Sequence, residues 1–242
     1  MGENKMKIGL FADSHYAEIG RIGSRLPSAS YDKLLEAIEA FKTAGVRFIF
    51  CLGDLLQATD DPETDRKAAE KIMQPLRDCG IPVYYIWGNH DSEAMPADNL
   101  CRIACALSAP ACVSYEGRTL VLLDLNYKRD GTPYQAGEND WTNTAMPDDE
   151  YDWLKSILRA ADGEVVIFTH QNLWGGEGDP HVIANAAEVR ALLEKYGNVS
   201  RVYSGHRHTG GEAAVNGITY STLRAMCEEH TPPEERYRII EV

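Results

Sequence analysis

Five short polar turns, each at the end of a β-like apolar run, constrain the fold of this chain more than any other feature. They read Asp13-Ser14-His15, Gly53-Asp54, Gly88-Asn89-His90-Asp91, Thr169-His170 and Gly205-His206-Arg207-His208. Apolar runs occupy 8–12, 48–52, 83–87, 120–123, 165–169, 201–204, 218–222 and 237–242, with helical patterns between several of them. Such alternation predicts an α/β fold. Leu34, Leu35, Ile38 and Phe41 recur at helical spacing ahead of Gly45, which predicts a first helix closed by glycine. Asp61-Pro62 opens a second helix running to about residue 79. Pro147, with Asp148, Asp149 and Glu150 in the first turn, opens a third, and a fourth covers about 186–196. From residue 201 onward, short strands and glycine-bearing turns predict a second sheet.

Ligands of open α/β sheets bind beyond the carboxyl ends of the strands, so the five turns are expected to converge on one crevice. Asp13/His15 and His206/His208 are each separated by one residue; in extended backbone such residues project to the same side, and each pair can grip one ion. Five of the seven histidines lie in these turns, leaving only His181 and His230 outside. Any single turn reads as an ordinary strand end, whereas five together point to a pair of bound cations. Imidazole, carboxylate and amide donors without a thiolate suit Mn, Fe, Zn, Co or Ni.

The rest of the sequence bounds the alternatives. With 242 residues the chain is long enough for a large core and is expected to be one domain over 1–242, with 1–6 as an N-terminal extension. Lys and Arg number 24 against 37 Asp and Glu, a net charge of −13, which repels nucleic acid backbones and anionic membranes unless a local positive centre intervenes. No apolar run approaches the roughly 18 residues of a membrane span, and no secretory signal pattern opens the chain. Six cysteines (Cys51, Cys79, Cys101, Cys105, Cys112, Cys227) lack Cys-x-x-Cys spacing and read as reduced core residues of a cytoplasmic protein. Two polar, glycine-bearing stretches, 126–146 and 171–185, are expected to be loops over the active site. Their rings Tyr127, Trp141 and Trp174 either contact substrate or pin the loops to the body.

The ordered set of turns resembles the calcineurin-like metallophosphoesterases over nearly the whole chain. That resemblance implies a four-layer αββα sandwich of two mixed β-sheets flanked by helices, with the active site at the C-terminal strand ends. It implies two divalent or trivalent transition-metal ions, Mn, Fe or Zn foremost. Asp13, His15, Asp54 and His208 would hold one, and Asp54, Asn89, His170 and His206 the other, with Asp54 bridging. A metal-bridging hydroxide would attack phosphorus in line. His90, next to Asn89, would protonate the leaving oxygen and bind substrate with Asn89, and Asp91 would orient His90. Arg207, between two ligands, is expected to point away. Gln57 stands where purple acid phosphatases carry a ligating tyrosine, and Asn172 where many relatives carry proline. Segments 82–91, 120–126 and 205–211, with Thr222-Leu223 and the 228–233 tail, are similar to the manganese-dependent ADP-ribose/CDP-alcohol diphosphatase branch, although that branch usually has Gln at position 15. The expected substrate is a small phosphorylated, nucleotide-like molecule; a phosphomonoesterase and a cyclic-nucleotide phosphodiesterase share the metal pattern. A non-catalytic protein-binding scaffold is the reading from another class, and the complete ligand set weighs against it.

Overall fold

The computed structural model describes residues 6–138 and 140–242. Residues 1–5 of the expected N-terminal extension, and Asn139 in the first long loop, lie outside the described residues. Met6 is not extension: it is buried and exchanges two backbone hydrogen bonds with Val242 (3.1 and 2.9 Å).

Eleven strands form two mixed sheets among the described residues. The first has the order β11 (Arg238–Glu241), β1 (Lys7–Phe11), β2 (Phe48–Leu52), β3 (Val83–Ile86), β4 (Leu107–Ser108). Only β11 runs antiparallel, against β1. The second sheet is ordered β5 (Ala111–Tyr115), β6 (Arg118–Leu122), β7 (Val165–Phe168), β8 (Val199–Ser204), β10 (Ile218–Arg224), β9 (Thr209–Val215). Its centre is parallel and its two edge strands are antiparallel. The chain thus builds the second sheet from β5 onward, well before residue 201, and returns its last strand to the first sheet.

The alternating strand faces account for the layers. Ile8, Leu10, Phe50, Leu52 and Ile86 of the first sheet meet Leu120, Leu122, Val166, Phe168 and Tyr203 of the second, with Phe50 edge-on to Phe168 at 4.7 Å. The opposite face of the first sheet, through Phe11, Ile49, Cys51 and Tyr85, packs against α1 (Ser30–Ala44), α2 (Pro62–Asp78) and α4 (Ala97–Ala104). The outer face of the second, through Val121, Val165, Ile167 and Val202, takes α5 (Asp148–Ala160) and α6 (Ala186–Tyr196). The result is the four-layer αββα sandwich. Helix limits follow local chemistry: Gly45 closes α1 with left-handed φ of 66°, and Asp61 caps α2 by accepting from the Glu63 N–H. Short α3 (Asn89–Ala94), α4, β4 and β5 carry too little periodic signal to be read from sequence, whereas β6 is the run expected at 120–123.

All six cysteines are free, but only Cys51 and Cys227 are buried; Cys105 and Cys112 are exposed, which corrects the reading of all six as core. Among the described residues no helix is long and apolar enough to cross a membrane.

Candidate metal centre

Each turn lies at the carboxyl end of a parallel strand: Asp13 after β1, Asp54 after β2, Asn89 after β3, His170 after β7 and His206 after β8. The mechanism of convergence differs from the expected extended alternation. Asp13, His15, Asp54 and His206 adopt left-handed φ of 54°, 43°, 50° and 70°. These four are a majority of the seven positive-φ non-glycine residues among those described, so the backbone strain collects where the turns fold inward. The motif glycines have a steric origin. A Cβ at Gly53 would overlap the His170 ring, and one at Gly88 the Asp54 carboxylate, so strand ends and site side chains touch only because these positions are bare.

The donors meet around Asp54. Its Oδ2 lies 3.4 Å from His15 Nε2 and 3.4 Å from His170 Nε2, while Oδ1 accepts the His90 backbone N–H at 2.8 Å. On one side His15 Nε2 is 3.1 Å from His208 Nε2, and His208 Nε2 is 4.0 Å from Asp13 Oδ1. On the other, His170 Nε2 is 3.2 Å from Asn89 Oδ1, and the ligating atoms of Asp54, His170 and His206 fall within 4.8 Å of one another. Asp13 accepts the His206 N–H on both oxygens at 3.0 Å. Asp13, His15 and His170 are fully buried.

This donor set fits cations. His170 Nδ1 bonds the Leu52 carbonyl at 2.8 Å and His208 Nδ1 the Glu228 carboxylate at 2.6 Å. Both contacts place the ring proton on Nδ1, so Nε2 presents a lone pair toward oxygen and nitrogen acceptors. Buried His206 Nε2 has no hydrogen-bond partner among the described residues. Lone pairs facing one another in a buried site need a positive charge between them. Without an ion a proton takes that place: burial opposes protonation of His170, but Asp54 outweighs it and lifts the imidazole to about 9. Burial likewise works against the Asp54 carboxylate, yet His170, His90 and His15 hold it well below the usual range. Desolvation, helped by neighbouring imidazoles, outweighs Asp54 and drives His15 and His206 well below ordinary imidazole values.

The floor opens into a cavity of about 250 Å³ bordered by Asp54, Asn89, His90, His206 and His208. Its walls are Arg25, Trp141, His181, Arg207 and Thr209. Of the three rings read as substrate contacts, Trp141 borders this cavity. Tyr127 and Trp174 do not; Tyr127 bridges to Pro133, and Trp174 packs against the outer core of the second sheet. Arg207 corrects its reading as a residue that points away, because it lines the cavity. Asp91 is also corrected. Its carboxylate accepts from Leu56 N (2.8 Å) and Gly88 N (2.9 Å) and so fixes the turn before α3, while the carboxylate at the His90 ring is Glu93, 3.1 Å from Nδ1. A larger groove of about 1390 Å³ follows α2 and α4 and includes none of the clustered imidazoles.

Four contributors escaped the sequence reading. Arg25 reaches Gln57 Oε1 (3.0 Å) and His15 Nδ1 (3.4 Å), so Gln57 anchors a guanidinium where purple acid phosphatases have a ligand. Glu228 orients His208, and buried Lys33 holds the Glu228 segment by donating to the carbonyls of Met226, Cys227 and Glu228 (2.8, 3.3 and 3.1 Å). His181 lies 5.3 Å from the His206 ring and 5.2 Å from Trp141. Only its position within the 171–185 loop and the nearby Asp179 could have signalled it. Asn172, in the proline position, donates to Ser204 Oγ (2.7 Å) and Thr222 Oγ1 (2.6 Å), tying that loop to β8 and β10.

Comparison with known proteins agrees with this architecture. A structure titled a dimetal phosphatase from Danio rerio superposes with a TM-score of 0.83 over 98% of this chain and 92% of its own, at 21% identity. A probable cyclic nucleotide phosphodiesterase of Fibrobacter succinogenes is 26% identical over 217 residues, 86% of this chain and 75% of the relative. The manganese-dependent ADP-ribose/CDP-alcohol diphosphatase of Arabidopsis thaliana is 23% identical over 267 residues, 91% of this chain and 86% of the relative. The calcineurin-like phosphoesterase family model matches residues 6–210, and the chain belongs to that family of metal-dependent phosphoester hydrolases.

Proposed function

We propose that the chain, acting as one cytoplasmic domain, hydrolyses a small, nucleotide-like phosphoester or diphosphate at two transition-metal ions of the Mn, Fe or Zn class. The supporting observation is the position of Asp54 Oδ2, 3.4 Å from an imidazole nitrogen on either side. Asp13, His15, Asp54 and His208 would hold one ion; Asp54, Asn89, His170 and His206 the other. When bound, such ions supply Lewis acidity and an activated water for in-line attack at phosphorus.

The remaining chemistry belongs to the side chains. Burial disfavours a charged His90, but Asp54 and Glu93 outweigh it and raise its affinity for a proton. Bordering the cavity, His90 is the donor to the leaving oxygen. Arg25, fixed by Gln57, offers positive charge to the phosphoryl group, and Asn89 holds the substrate side of the floor. Trp141 and His181, their rings tilted by 35°, give the cavity an aromatic side for a base or sugar. At about 250 Å³ the cavity has room for a phosphoryl group with its nearest substituents.

Metal analysis and a substrate panel test the reading together. Protein loaded with Mn is expected to hold about two ions per chain and to cleave bis(p-nitrophenyl) phosphate, ADP-ribose or a cyclic nucleotide. Failure to bind ions, or inactivity on every member with two ions bound, would refute it.

A further inference from the structure

The five strand-end turns carry no sulfur, yet a sixth segment brings one to them. Cys227 follows β10 and lies against the Asp13 turn. Its N–H donates to the Asp13 carbonyl (3.0 Å) and the Met226 N–H to the Ala12 carbonyl (3.1 Å), while its own carbonyl accepts from Leu26 N (2.9 Å) and Lys33 Nζ (3.3 Å). These bonds fix the backbone, so the fold aims the side chain. Cys227 is fully buried, and among the described residues its sulfur makes no hydrogen bond, whereas the thiols of Cys79, Cys101 and Cys105 each reach a carbonyl or hydroxyl oxygen. What the Cys227 thiol meets is the first-side imidazole pair: one ligating atom each from His15, His208 and Cys227 lie within 4.8 Å of one another. A zinc-like ion bonds sulfur at about 2.3 Å and imidazole nitrogen at about 2.0–2.1 Å, so a short inward shift of the side-chain ends brings all three onto one ion.

We propose that Cys227 joins His15 and His208 as a ligand for thiophilic divalent ions, so that the first side of the centre selects a zinc- or cadmium-like ion. The Asp54 carboxylate, 3.4 Å from His15 Nε2, is the fourth donor. Two imidazoles, a thiolate and a carboxylate make a tetrahedral set of the kind that suits zinc. The second side, with Asp54, Asn89, His170 and His206, holds no sulfur and suits a manganese-like ion. The two sides therefore differ in softness, and the centre is built for two unlike ions. On binding, the S–H bond breaks, its proton passes to solvent, and the sulfur electron pair forms the bond to the ion. This inference rests on the two-ion part of the reading above and names which ion each side selects; it does not depend on hydrolysis.

Cobalt, cadmium and manganese added to chelator-treated protein test the assignment, with circular dichroism as the check on folding. A thiolate bound to cobalt gives a near-ultraviolet charge-transfer band that nitrogen and oxygen donors do not. We expect that band in wild type and in Cys112→Ser, whose thiol is exposed on the second sheet, and its loss in Cys227→Ser. In chelator competition Cys227→Ser should weaken cadmium binding by about tenfold or more and manganese binding by less than about threefold. Should Cys227→Ser fold poorly, the cadmium-113 resonance of wild type gives the same answer without a variant, because one thiolate ligand moves it well downfield of nitrogen- and oxygen-only sites. Cobalt bound to wild type without the band, a band that survives in Cys227→Ser, equal losses of cadmium and manganese affinity, or a cadmium resonance in the nitrogen and oxygen range would overturn the thiolate site. The hydrolase reading fails separately, through inactivity on every substrate with two ions bound, and the cobalt band still reports on Cys227 in that case. Wild type that binds no ion would overturn both.

Discussion

The floor and the wall of the cavity are built in opposite ways. On the floor, Asp13, His15 and His170 are fully buried, and backbone groups hold Asp13, Asp54 and His170 through His206 N, His90 N and the Leu52 carbonyl, with His208, on the Glu228 carboxylate, the exception. On the wall, Arg25, Trp141, His181 and Arg207 come from loops and are held chiefly by side chains, namely Gln57, Asp179 and one another's rings. Backbone-held groups cannot move without shifting strand ends that belong to the core. Side-chain-held groups can be exchanged while the fold persists. Under the proposed function, bond cleavage falls to the floor and substrate choice to the wall.

The sharpest way to break this division is at its centre. Asp54→Asn should remove ions from both sides at once and lower kcat/KM by about a thousandfold or more, as measured by metal analysis beside kinetics. Loss of one ion only would end the bridging assignment. His90→Asn should keep the metal content and lower kcat by roughly a hundredfold, most for substrates with poor leaving groups. A defect indifferent to the leaving group would make His90 a binding residue. Glu228→Gln, which touches the floor only through His208 Nδ1, is expected to weaken metal affinity about tenfold or more in a chelator competition. For the wall, Trp141→Ala should raise KM by several-fold with little change in metal content; a fall in bound metal would join wall to floor.

An effect on stability rather than on turnover lies outside both regions. Burial pushes the Glu150 carboxyl up to about 8 and that of Asp124, whose N–H it receives at 3.1 Å, to about 6. A raised folded value means that the native chain keeps a proton the unfolded chain releases. The resulting stability is full below the ordinary carboxyl range near 4.5 and is lost as pH rises toward 8. Glu150→Gln removes that dependence. Chemical denaturation should therefore show the variant gaining on wild type by about 1–3 kcal/mol from about pH 5 to 8. A difference that stays flat with pH would mean that Glu150 titrates normally.

Where sequence reading succeeded, the signal was local. Gly45, Asp61-Pro62 and the 186–196 pattern marked helix ends because capping and periodicity act within a few residues. The strand-end turns were legible for the same reason, even though the left-handed backbone that turns Asp13 and His15 inward was not. Asp91 shows the limit. The family resemblance placed it on His90, but its oxygens are taken by Gly88 N and by Leu56 N from a different strand end.

The sequence by itself marked a candidate donor set with its order along the chain and the phosphoester hydrolase class, because residue type fixes ligand chemistry and each turn is specified by neighbouring residues. Only the tertiary structure decided which groups stand around that set. Arg25 beside Gln57, Glu228 behind His208 and Asp179 behind Arg207 pair across 32, 20 and 28 residues, respectively. Such contacts depend on how the sheets, helices and loops pack, and no spacing rule along the chain encodes them.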